Sequence, residues 1–190
     1  MPRIIGIDSS LTATGLCRII TTNAGHLVSM TCTTVSAAKP SPKDTNPCVM
    51  ARRVKGLAYD IAEFVFAGGQ PDVIAIEDLA FGARGSNVWV LPWVFGKCLE
   101  MAEANNVQNV ITVATSQRTK YATGKGNASK GTALIQAVKL WSEAGITTDN
   151  EADAAIIAAI GAHYLGHPVA HHTDYRRDVM AAIRTTYPLR

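Results

Sequence analysis

The chain has 190 residues, 47% of them apolar and 17% charged, enough for one domain with a full hydrophobic core. No apolar run escapes charge, Pro or Gly long enough to cross a bilayer. Met1-Pro2-Arg3 leads into a strand without a signal-peptide pattern, so a soluble protein of the cytoplasm is expected, with no membrane partner. The net charge of +3 does not by itself announce a polyanion partner. Cys17, Cys32, Cys48 and Cys98 form no CxxC pair and have no His at zinc-finger spacing, so they read as reduced thiols.

Residues 3–8 alternate little and predict a central strand buried on both faces. Thr12–Thr22 and His26–Val35 predict two more strands, joined as a hairpin around Asn23-Ala24-Gly25. After a polar loop over 36–46, Asn46-Pro47 offers an N-cap followed by Pro at the first helical position. The helix then expected runs to about Ala67, with Val54, Leu57, Ala58, Ile61, Phe64 and Val65 on one face. Gly68-Gly69-Gln70-Pro71 stops it, and Val73–Glu77 is a strand.

A helix is expected from about Asn87 to Asn105, with Pro92 delaying its start or kinking it. Asn109–Ala114 reads as a buried strand, followed by a short helix from near Ser116 and a Gly-rich loop. Helices from Ser129 to Glu143 and from near Asn150 to about Leu165 complete the pattern. The fold class is α/β: a mixed five-stranded sheet with an antiparallel meander of three strands, then two parallel strands, flanked by helices. One domain is expected over 1–166, with 167–190 as a basic tail or terminal helix.

Three acids stand where a structural reason is hard to find. Asp8 ends the apolar run Ile4-Ile5-Gly6-Ile7, Glu77 ends Val73-Ile74-Ala75-Ile76, and Asp153 lies early in the last core helix. A carboxylate at the end of a buried strand is costly unless something positive meets it. Where several converge, a divalent cation with oxygen ligands is the usual partner, and such sites run phosphoryl chemistry. Taken singly, each acid has a plainer reading: an Asx turn at Asp8, a solvated strand end at Glu77, an N-cap at Asp149 or Asn150. Together, in this element order, they favour a shared site. Asp149 and Asn150 both fall on the helix face of Asp153, whereas Glu151 points elsewhere unless it belongs to the first turn. Between Glu103 and Glu143 there is no acid, while Arg118, Lys120, Lys125, Lys130 and Lys139 make a basic stretch. Such a stretch suits a polyanion approaching an acidic metal site, although charge alone equally describes a solvated surface.

Ile5-Gly6-Ile7-Asp8-Ser9-Ser10 with Thr14-Gly15, Ala75-Ile76-Glu77-Asp78, and Glu151-Ala152-Asp153-Ala154 form one set of motifs. With Arg118-Thr119-Lys120 and Thr123-Gly124-Lys125-Gly126-Asn127-Ala128-Ser129-Lys130, they resemble the RuvC Holliday-junction resolvases of the ribonuclease-H-like superfamily. The resemblance spans about Ile4 to Leu165 and is nearest to phage-encoded or otherwise divergent members, for which the host cytoplasm is the expected location. It implies Asp8, Glu77 and Asp153 as catalytic metal-binding acids and Lys120 and Lys130 as catalytic lysines. It implies Arg118, Lys120, Lys125 and Lys130 on the DNA backbone and Phe81 as a candidate wedge at the junction crossover. It also implies Mg2+, or Mn2+, with two ions per active site, and paired symmetric nicks in a four-way DNA junction leaving 5′-phosphate and 3′-hydroxyl ends.

A junction with two strands to cut suits a two-fold homodimer. The segment Val88–Met101, with Val90, Leu91, Val94, Phe95, Cys98 and Leu99, is the candidate interface. Two departures from the family pattern stand out. Asn150 takes the place of a fourth acid or histidine among the metal ligands, so the second ion should bind more weakly, with Asp149 and Glu151 the candidates to compensate. Ser9-Ser10 replaces the usual Pro-Gly, a change of turn.

The Gly-rich loop lacks the Walker A spacing, so no nucleotide cofactor is expected. The alternatives are a nuclease of the same fold acting on flaps, replication forks or single strands, and a non-catalytic junction-binding protein that lost activity through Asn150. An actin-like ATPase or sugar-kinase relative would need a second domain that this length does not hold.

Overall fold

Ile4, Ile5 and Ile7 are all fully buried because the first strand has a helical layer on each side. The structure is a computed structural model that describes residues 1–41, 43, 46, 48–79 and 88–183. Its strands are β1 (Arg3–Asp8), β2 (Thr14–Thr21), β3 (Leu27–Val35), β4 (Val73–Glu77) and β5 (Val110–Val113), in the sheet order β3-β2-β1-β4-β5. β1, β2 and β3 pair antiparallel, and β4 and β5 add in parallel, as the element order predicts.

Strand parity divides the core in two. Ile5, Ile7, Leu16, Ile74 and Ile76 face α1 (Val49–Phe66) and α2 (Val90–Ala104). Ile4, Cys17, Ile19, Val73, Ala75, Ile111 and Val113 face the other layer, α3 (Thr115–Thr123), α4 (Lys130–Leu140) and α5 (Asp149–Tyr164). Each fully buried Ile side chain contributes roughly 1.5–3 kcal/mol, so this double-sided core dominates stability.

The helix α5 sets the position of everything functional. Residues 152–162 are buried without interruption and are almost all Ala and Ile, small enough for the helix to lie directly on the sheet. Gly6 and Gly15 make that approach possible: a Cβ on Gly6 would overlap the Ala154 carbonyl, and one on Gly15 the Asn150 carbonyl. The start of α5 is thereby pinned over the ends of β1 and β2.

Three helix starts differ from the sequence expectation. α1 begins at Val49, after an Asx turn in which Asn46 Oδ1 accepts from the Cys48 amide at 2.8 Å; Pro47 lies outside the described residues. Pro92 is the third residue of α2, within the first turn, where missing amide donors have no helical partner to lose. The N-cap of α5 is Thr148, and neither Asp149 nor Asn150 fills that role. The tail forms α6 (Asp174–Ala181), whose Arg176 is buried against α3, donating through Nε to the Tyr121 carbonyl at 3.0 Å. No described helix is long and apolar enough to cross a membrane.

Candidate active site

Asp8 and Glu77 end neighbouring parallel strands, and the pairing of Ile7 with Ile76 puts them side by side. By parity both belong to the face that carries Ile4, Gly6, Val73 and Ala75, the face covered by α5. Asp153 enters from the second turn of α5 and is only 3% exposed. The three acids therefore meet where β1, β4 and α5 come together.

The group between them is Arg118 of α3, whose side chain is 5% exposed. Its Nη1 donates to Glu77 Oε2 at 3.0 Å, pairs with Asp153 Oδ2 at 2.8 Å, and lies 3.7 Å from Asp8 Oδ1. Thr115, at the start of the same helix, donates its hydroxyl to Glu77 Oε1 at 2.7 Å. Glu77 is thus fixed through both oxygens. The Nε of Arg118 is buried with no hydrogen-bond partner among the described residues.

One guanidinium does not neutralise three carboxylates, one buried and two partly buried. Burial, a hydrogen bond shared with Glu77 and the Glu77 charge push Asp8 far above the usual carboxylate range, against the pull of Arg118. Burial raises Asp153 to about 6, again against Arg118. The surplus of hard oxygen donors has the chemistry of a divalent-cation site. Yet no three His, Cys, Asp or Glu side chains among the described residues stand at the spacing of a finished metal site. The point on which the acids converge holds the Arg118 guanidinium.

Around this centre the other expected residues are dispersed. Asn150 lies in the first turn of α5, its carbonyl against Gly15. Glu151, a candidate to complete the metal site, uses Oε2 of its carboxylate to complete the capping box of α5. Glu151 Oε2 accepts from the amides of Thr147 at 2.8 Å and Thr148 at 3.1 Å and from the Thr147 hydroxyl at 2.9 Å. Burial pushes this carboxyl up, but those hydrogen bonds outweigh it and hold it low. Asp149 remains the nearby acid, with Lys130 Nζ 3.8 Å from its Oδ2.

Lys130 is the first residue of α4, behind the Ser129 N-cap, and its side chain is largely exposed. Lys125 is exposed in the loop between α3 and α4, where its amide donates to Thr123 Oγ1 at 3.1 Å. Lys120 points the other way along α3 and pairs with Asp178 of α6 at 2.9 Å. Arg118, expected on the DNA backbone, lies buried inside the acid cluster. Phe81 lies outside the described residues.

A small cleft of about 120 Å³ opens beside Glu77, lined by Ser9, Asp78, Leu79, Leu91 and Thr115. A larger groove of about 430 Å³ lies away from the acids, between β3 and the end of α4. Sequence reasoning missed the inward Arg118 and the Thr115 contact. The signal was there: Arg118, Tyr121 and Ala122 are three or four apart and share the buried face of α3.

The mixed sheet, its strand order and its two helical layers define a ribonuclease-H-like fold of the RuvC type. Among solved structures, this chain is similar to Thermus thermophilus RuvC, with 20% identity and a TM-score of 0.63, over 87% of this chain and 97% of that one. It is similar to T. thermophilus RuvC in complex with a Holliday junction substrate, with 21% identity, a TM-score of 0.65, and coverage of 88% and 98%. The yeast mitochondrial Holliday junction resolvase Ydc2 also matches, with 17% identity, a TM-score of 0.55, and coverage of 95% and 86%. No family model and no curated protein matches the sequence.

Proposed function

We propose that this chain is a metal-dependent, structure-selective endodeoxyribonuclease that resolves four-way DNA junctions by paired symmetric nicks. The observation that carries this reading is the meeting of Asp8, Glu77 and Asp153 on one face of the sheet, at the ends of β1 and β4 and the start of α5. The fold shared with proteins described as RuvC and as a Holliday junction resolvase supports the choice of a branched DNA substrate.

In this reading Asp8, Glu77 and Asp153 hold the metal, with Asn150 or Asp149 as the further oxygen donor. Mg2+ or Mn2+ held there, two ions per site, would supply a water of lowered pKa and offset charge on the leaving oxygen. The chain's own work is to fix and to attract. Thr115 and the strand register hold Glu77, the glycine contacts of α5 hold Asp153, and Lys125 and Lys130 offer exposed charges to the phosphate backbone. Lys120 joins them when its pair with Asp178 opens.

The working unit in this reading is a homodimer in the cytoplasm. α2 supports it: Val90, Val94, Cys98 and Ala102 are buried in the core, while Val88, Trp89 and Leu91 remain 42%, 51% and 36% exposed. Trp89 stacks on Trp93 at 5.8 Å, which stiffens that apolar edge.

The test is cleavage of a labelled four-way junction, a Y-fork and the matching duplex in Mg2+. Paired symmetric nicks in the junction, with fork and duplex intact, are expected. Equal cutting of the fork would replace the junction by branched DNA in general, and tight junction binding without cutting would make the chain a binding protein.

A further inference from the structure

We propose that Arg118 is a resident cation of the acid cluster, which divalent ions must displace, so that this side chain sets the metal affinity of the site. The inference rests on the metal-dependent reading above and adds to it a competitor built into the chain.

The argument is one of position and charge. Nη1 lies 2.8, 3.0 and 3.7 Å from oxygens of Asp153, Glu77 and Asp8, so one nitrogen touches or approaches every acid in the cluster. A cation held by the same three carboxylates would have to take the oxygens that Nη1 now contacts. Placing a divalent ion beside a retained guanidinium would also set like charges a few ångströms apart in a partly buried site, where screening is weakened.

Arg118 is well suited to be held and also to be released. The residue is 4% exposed, so its charge is committed to the cluster and is not spent on the surface. All three of its contacts with the acids run through Nη1, while Nε is buried and unpartnered among the described residues. A fully satisfied structural arginine would use its donor fork on both sides. Thr115 holds Glu77 Oε1 independently, so one ligand keeps its orientation when the guanidinium leaves. In the metal-free protein the guanidinium offsets part of the cluster's negative charge, and the ion binds in exchange for an internal ion pair.

Two measurements test this on the full chain. In the first, Mn2+ binding is titrated by the signal of free Mn2+ for the natural protein and for Arg118→Met, which keeps apolar length without charge. Affinity is expected to rise on the order of tenfold or more in Arg118→Met, the scale of removing one nearby positive charge from a poorly screened site. The second needs no variant and stands if Arg118→Met does not fold. The side-chain nitrogen resonances of Arg118 in the natural protein are followed by NMR during Mg2+ addition. They are expected to pass from a restrained, slowly rotating guanidinium to a freely rotating one as the site fills. Metal binding with unchanged affinity in Arg118→Met and unchanged Arg118 resonances would overturn the inference and leave the nuclease reading standing. Failure of both proteins to bind Mn2+ would overturn the metal reading and the inference with it.

Discussion

Asp8 and Glu77 stand side by side because Ile7 pairs with Ile76 in parallel strands, one residue before each acid. Nothing about either carboxylate produces that arrangement. It follows from a strand register that is specified by the buried residues Ile5, Ile7, Ile74 and Ile76 on the opposite face. The hydrophobic pattern therefore places the acids, and α5 completes the cluster by lying on two glycines.

That packing predicts a sharp cost at Gly15. In Gly15→Ala the new Cβ meets the Asn150 carbonyl, which is backbone and cannot swing aside. The start of α5 must lift, taking Asp153 with it. A loss of about 3 kcal/mol is expected from the denaturant midpoint. Gly56→Ala, where the added carbon meets nothing within 4 Å, should leave stability unchanged or slightly raised.

Glu151 separates structure from chemistry within one turn of helix. Because its carboxylate caps α5, Glu151→Ala should cost roughly 1–2 kcal/mol in thermal or chemical unfolding. Mn2+ affinity should change little, whereas Asp153→Asn should lose it. A Glu151→Ala protein of full stability that no longer binds Mn2+ would instead place Glu151 among the ligands.

The partly buried imidazole of His163 predicts a pH dependence remote from the acids. Burial, then the neighbouring His172 and Arg176, lower its pKa in the folded chain. The unfolded chain then binds the proton more readily, so stability falls as pH drops through the ordinary histidine range, near 6.5, toward the lower folded value. Subtracting the stability profile of His163→Phe from that of the natural protein should isolate this loss. A difference that does not vary between pH 7.5 and 5.5 would count against it.

Lys120 and Asp178 form an exposed pair, so Asp178→Asn should change stability by less than about 1 kcal/mol. Its effect should appear in DNA binding. With Lys120 released to a phosphate, the slope of log affinity against log salt for a four-way junction should steepen by about 0.9. Lys125→Ala should flatten it by a similar amount.

Much of this was legible in the chain. Unbroken apolar runs ending in Asp8 and Glu77 announced central strands with acids at their ends, and the element order gave the mixed sheet. The lysine-bearing loop was visible from Gly124, Gly126 and the acid-free stretch around them. Other features depended on tertiary contacts that composition does not carry. An arginine amid basic neighbours reads as surface, and only the face shared with Tyr121 and Ala122 turned Arg118 inward. Thr148 displaced Asp149 and Asn150 as the cap because Glu151 completes its box, a pairing that the three-residue spacing permitted but the nearby acids obscured. The docking of α6 depends on Arg176 reaching the Tyr121 carbonyl, 55 residues away.

The decisive measurement is junction cleavage by Asp8→Asn beside the natural protein, with binding of the uncut junction followed in the same samples. Asp8 is expected to be required for the chemistry and not for holding DNA. Cleavage in Mg2+ should fall by at least about a thousandfold in Asp8→Asn, as it should for the natural protein in chelator, with junction affinity kept within a few-fold. Undiminished cutting by a well-folded Asp8→Asn protein would contradict a site built from Asp8, Glu77 and Asp153.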